Sequence, residues 1–162
     1  MILNLVKNTD PILKKPAERF DFDNPQMDPI QLAKDLAETM MHNNGFGLAA
    51  PQVGIPLQAF VLLANPIIAV FNPKLVSTGI ERDTMEEGCL SFPGLILSVE
   101  RSRTIRVRYT QPNGNTDTYE YFGLTARIFQ HEYDHLQGIL FTKRVSRYHL
   151  DKAKKRSNNG KV

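Results

Sequence analysis

The stretch GLTARIFQHEYDHLQGILF, residues 123–141, decides how this chain is read. Leu124, Ile128 and Leu136 recur at helical spacing and Gly138 is placed to stop the element, so a helix is expected over about 124–136. It carries His131-Glu132-Tyr133-Asp134-His135, an H-E-x-x-H array. Four residues make just over one turn, so both imidazoles leave the same face and can share one metal ion, with Glu132 within reach of a water there. A catalytic ion of this kind normally takes three protein ligands, and the third defines the chemistry. Position 141 is Phe where a metzincin array needs another His, and no Glu follows Glu132, which removes the downstream ligand of thermolysin-like proteases. Asp134 reads as pointing off the wrong face and Asp151 lies in a polar tail. Upstream, Cys89 within Glu87-Gly88-Cys89-Leu90-Ser91 is the strongest candidate, because a thiolate binds transition metals tightly and Gly88 permits close approach. A lone Cys is more often a small buried hydrophobe, but beside the H-E-x-x-H array the balance shifts to a ligand. His42 and His149 lack such a context and read as surface residues.

Working outward, Asp28-Pro29 opens an earlier helix over about 28–43, with Leu32, Ala33, Leu36 and Met40 on one face and Gly45 just beyond its end. GFGLAAPQVGIP, residues 45–56, holds three Gly and two Pro and reads as a shaped loop or an edge segment. The runs AFVLLA and IIAVF read as strands. Over 97–110 the alternation is imperfect until about Thr104, and Pro112-Asn113-Gly114-Asn115 turns the chain into TDTYEYF, an antiparallel hairpin.

The length of 162 residues is one domain's worth, and one Cys cannot form an intrachain disulfide. The opening MILNLVKNTD shows no secretory pattern, so secretion is not expected. The most apolar region, Ala59 to Phe71, is broken by Asn65-Pro66 and falls short of the roughly 18 to 20 residues a bilayer demands, so no membrane contact is expected. The net charge of +3 hides an asymmetry: eight Lys or Arg against one acidic residue from Lys143 onward, and 12 basic against 16 acidic before it. The expected division is a catalytic domain over 1–146 and a basic tail over 147–162.

Three segments together resemble the peptide deformylases: Gly45-Phe46-Gly47-Leu48-Ala49-Ala50-Pro51-Gln52-Val53-Gly54, Glu87-Gly88-Cys89-Leu90-Ser91, and Gln130-His131-Glu132-Tyr133-Asp134-His135. The resemblance spans about residues 5–145. It implies an α+β fold with antiparallel or mixed sheets packed around a central metal-binding helix. The implied activity is a hydrolase of protein biosynthesis that removes the formyl group from the N-terminal formylmethionine of new polypeptides, releasing formate. The implied metal ligands are Cys89, His131 and His135, with Glu132 as the proton acceptor and the Gln52 amide and Leu90 N–H as donors to the oxyanion. Main-chain groups of Gly45 and Gly47 would pair with the substrate, and Phe46, Met85, Leu124 and Ile128 would wall a methionine pocket. One divalent ion is implied, Fe(II) in cells, with Zn, Ni or Co able to replace it. Ile96 stands where many relatives carry a basic residue.

The implied partners are formylmethionyl nascent peptides and, through the basic tail, the ribosome. The tail ends soon after 150 where many relatives continue, a form suited to bacterial cytoplasm, an organelle stroma or matrix, or a phage-infected host. Two other classes fit parts of the sequence: a peptidase using the same ion, and a nucleic-acid-binding module suggested by Arg101, Arg103, Arg106 and Arg108. The intact catalytic set argues against the second, and the arginine run reads as a solvated strand face.

Overall fold

The computed structural model describes residues 1–159. Helix α1 (Pro29–His42) begins where Asp28 accepts from the backbone N–H groups of Ile30 and Gln31, and it buries Leu32, Leu36 and Met40. Seven strands follow: β1 (Gly47–Ala49), β2 (Ala59–Leu62), β3 (Ile68–Thr78), β4 (Arg82–Cys89), β5 (Phe92–Ser102), β6 (Thr104–Thr110) and β7 (Thr116–Phe122). Helix α2 (Gly123–Leu136) comes next, and α3 (Arg147–Asn159) closes the described chain. The 45–56 segment proves to be both things expected of it, since β1 runs into a 3-10 turn at Ala50–Val53 that Gly54 ends at φ +80°.

The strands form an antiparallel sheet in the order β1-β2-β3-β6-β7 and a separate antiparallel pair, β4-β5. These are two parts of one long ribbon. At the break Gly79 N–H donates to Thr104 and Arg103 N–H donates to Glu81, so β3 passes into β4 just where β5 passes into β6. The break explains the imperfect alternation in the sequence. Leu95, Leu97, Val99 and Arg101 are buried along β5, Ile105, Val107 and Tyr109 along β6, and Arg103 between them is exposed.

Helix α2 lies across the large sheet and buries Ala126, Phe129 and Leu136 against Phe60, Leu62, Val70 and Val107. Phe60 and Phe129 meet edge to face with ring centroids 5.0 Å apart. Helix α1 covers the opposite face of the same sheet, packing Leu32, Leu36 and Met40 on Leu48, Val61 and Phe71. The described part of the basic tail forms helix α3, an element that the sequence reading did not assign. Leu150 and Ala153 supply enough apolar surface to hold α3 on the small core of Leu95, Leu97, Val99 and Phe141. No helix among the described residues is long and apolar enough to cross a membrane.

Candidate metal centre and active site

One ligand atom from each of Cys89, His131 and His135 lies within 4.8 Å of the others. Cys89 comes from the end of β4, next to the two-residue turn that pairs it with Phe92, and its Sγ is 3.4 Å from His135 Nε2. The two histidines stand one turn apart on α2 and are buried. His131 Nδ1 donates to Glu87 Oε1 at 2.9 Å, which leaves Nε2 as the ring nitrogen that can turn to a cation.

The electrostatics fit a cation. Burial works against a charged His131, yet Cys89 and Glu87 outweigh it and lift its pKa to about 10. That proton marks where the surroundings call for positive charge, a place a divalent ion takes by displacing it. Burial, with the charges of His131 and Arg101, holds His135 well below 6.5, in the neutral form that ligates. Burial raises Glu132 to about 7, against the opposing pull of His131 and Arg101. Glu132 Oε2 is buried with no hydrogen-bond partner. An unpaired carboxylate oxygen beside three soft or borderline donors is what a metal site with a proton acceptor presents.

Gln52 is buried, and its orientation is set by a backbone group. Its Oε1 accepts from Ala49 N–H at 2.9 Å, so Nε2 faces Ser91 Oγ at 3.1 Å and Cys89 Sγ at 3.6 Å. Two absences of side chain bring the walls together. A Cβ on Gly47 would lie 2.5 Å from Glu132 Oε1, and one on Gly45 would lie 2.6 Å from Leu90 Cδ1. Any larger residue at 47 would displace the carboxylate.

Gly45, Phe46, Gly47, Gln52, Cys89 and Leu90 line a cavity of about 630 Å3. Leu124, Ile128, His131 and Glu132 line it from α2. His135 sits behind, 1% exposed. Met85 lies outside the lining, half-exposed on β4 two positions before Glu87. Ile128 belongs both to the cavity and to the core under α2.

Sequence reasoning passed over the network that holds the histidines. Glu87 accepts from Arg101 Nε at 2.7 Å, from Arg101 Nη2 at 3.0 Å and from Arg127 Nη1 at 2.6 Å. Arg127 also donates to the carbonyls of Val99 and Asp83, pinning the ribbon to α2. Arg101 reaches Asp134 at 3.0 Å, and Asp134 in turn receives both Nε and Nη2 of Arg144. Arg101 is therefore no solvated strand residue. It is 4% exposed, whereas Arg103 and Arg106 are about half exposed. The signal was its parity with Leu97 and Val99.

Burial alone would raise the Glu87 pKa, but His131 and Arg101 pull it from 4.5 down to about 2. A carboxylate depressed in the fold stabilises it above its unfolded pKa and loses that contribution as pH falls through the folded one. Glu87→Gln is therefore expected to lower the urea midpoint at pH 7, with the gap to wild type closing between about pH 4.5 and pH 2. A gap independent of pH would show that Glu87 acts through shape alone.

The sequence model of the family described as Polypeptide deformylase matches residues 2–151. The chain is 43% identical over 141 residues to a peptide deformylase of Thermotoga sp. (strain RQ2), covering 85% of this chain and 83% of that one. It is 43% identical over 152 residues to peptide deformylase 1 of Bacillus anthracis, covering 91% and 95%. Among solved structures, the peptide deformylase of Synechococcus elongatus in complex with actinonin superposes with a TM-score of 0.88 at 39% identity, covering 96% of this chain and 86% of that one. The Thermotoga maritima enzyme gives 0.85 at 39% identity, covering 90% and 99%.

Proposed function

Because this chain belongs to the polypeptide deformylase family, we infer that it hydrolyses the formyl amide of N-terminal formylmethionine on new polypeptides, giving formate and a free amine. The observation that carries the reading is the meeting of Cys89, His131 and His135 within 4.8 Å. They meet beside Glu132 and Gln52, at a cavity whose other walls are largely apolar.

Cys89, His131 and His135 would hold one divalent ion, which when bound would supply Lewis acidity and lower the pKa of a water toward neutrality. Fe(II) is the proposed cellular ion, with Zn, Ni or Co able to replace it, since one thiolate and two imidazoles accept several first-row ions. Glu132, raised to about 7, takes the proton of the attacking water and returns it to the leaving amine. Gln52 Nε2, aimed at the Cys89 side by the bond from Ala49, and the Leu90 N–H receive the charge developing on the formyl oxygen. In another enzyme, losing one such donor costs about 2.7 to 4 kcal/mol.

Strand β1 is an edge of its sheet, so its outer side and the main chain of Gly45, Phe46 and Gly47 can take the peptide as an added strand. The methionine side chain goes to the apolar part of the cavity, among Phe46, Leu124 and Ile128, and not to Met85, which lies outside its lining. Residues 1–146 form the catalytic domain in this reading and 147–162 a basic tail that meets the ribosome. The compartment is a reducing one, cytoplasm or an organelle stroma or matrix, because Cys89 must stay unoxidised to serve as a ligand.

The test uses anaerobically metal-loaded protein and formyl-Met-Ala. One formate per new amine is expected, with no amine released from unformylated Met-Ala-Ser. Amine release from the unformylated peptide would make the protein a peptidase instead.

A further inference from the structure

The active-site cavity does not end at the metal ligands. Past Ile96 it borders a trough of about 690 Å3, and the two share Glu86, Gly94 and Ile96 as lining. The far wall of the trough is α3, which turns His149, Lys152 and Arg156 toward it. These positions fall on one face at 100° per residue, while Arg147, Lys154 and Lys155 fall on others. Lys152 and Arg156 make no ion pair among the described residues, and Glu86 is the one acidic group in the lining. The helix is seated there by Leu150 and Ala153, so its cations stand at a fixed place along the ribbon.

We propose that this trough continues the peptide site, and that Lys152 and Arg156 receive acidic side chains of the nascent chain downstream of its first two residues. The inference rests on the deformylase reading. Two observations support it: the trough shares a wall at Glu86, Gly94 and Ile96 with the cavity that takes the formylated end, and the cations of its far wall are complementary to carboxylates. An extended peptide advances about 3.3 Å per residue, so a few residues leaving the cavity over Ile96 reach the helix. The enzyme then discriminates among nascent chains by sequence beyond the methionine, through an element outside the catalytic core.

The experiment compares kcat/KM for formate release from formyl-Met-Ala followed by four Glu, four Ser or four Lys, on metal-loaded wild type, K152E/R156E and K152Q/R156Q. For wild type the Glu peptide is expected to exceed the Ser peptide by roughly three- to tenfold, the size of one or two exposed ion pairs, with the Lys peptide below both. The advantage should shrink as NaCl rises from about 0.1 to about 1 M, where the screening length falls from about 10 to about 3 Å. Neutralisation should level the three peptides, and charge reversal should invert their order. Equal values in wild type, or an unchanged order in K152E/R156E, would overturn the proposal. So would an unchanged peptide order together with weakened ribosome co-sedimentation, which would assign this face to RNA. If none of the peptides, formyl-Met-Ala included, releases formate from metal-loaded wild type, the deformylase reading itself fails.

Discussion

Cys89→Ala is expected to leave a folded protein that no longer retains its metal through desalting, while Glu132→Gln keeps the metal and loses turnover by about 100- to 10,000-fold. The two residues are close in space and separate in role. Cys89 is the one proposed ligand that comes from outside α2, and it is partly exposed at a strand end, so alanine there removes a donor without opening the core. His131 and His135 alone leave an ion with two protein ligands, one fewer than catalytic zinc-type sites normally use. Glu132 lies against Gly47 with one oxygen unpartnered, and glutamine keeps its shape while abolishing its basicity. Metal content by atomic emission and formate release, measured on the same samples, separate the outcomes. Retention of stoichiometric metal with full turnover in Cys89→Ala would remove the thiolate from the ligand set.

The second large effect is structural. Arg101→Met is expected to cost about 3 to 5 kcal/mol, because it strands carboxylates already taken out of water. Glu87 would lose two of its contacts and Asp134 would lose one, although Arg127 and Arg144 would remain. At this chain length each kcal/mol moves the midpoint by about 2 to 4 °C, so thermal unfolding should fall by roughly 6 to 20 °C. Arg101→Lys should recover only part, since an ammonium cannot repeat the two-pronged contact with Glu87. A loss below about 1 kcal/mol for Arg101→Met would mean that the remaining arginines compensate.

The motifs and the network differ in how far they could be read in advance. His131, Glu132 and His135 were legible because one helical turn fixes their geometry, and Asp28 because a cap acts within three residues. Cys89 needed chemistry as well as position. The bonding of Glu87 to His131, 44 residues away in sequence, has no local periodicity to betray it. Arg101 did leave a trace, a charge on the buried parity of β5, but a side chain long enough to reach water usually makes such a charge harmless. The splitting of one apparent strand at Arg103 was visible as broken alternation, while the assignment of its halves to different sheets depended on the partners across the ribbon. The tail helix was missed because its apolar stripe amounts to little more than Leu150 and Ala153, too few for sequence periodicity and enough for a surface already formed.

The close approach at Gly47 bears on how the pocket could respond to a blocking ligand. Where a wall is built from side chains, a population under selection can trade one for another and shed the ligand. At residue 47 the wall is main chain, and any substituent would occupy the space of Glu132, the carboxylate proposed to move the proton. A compound that leans on this stretch presses on a surface the protein cannot redraw without giving up its own reaction.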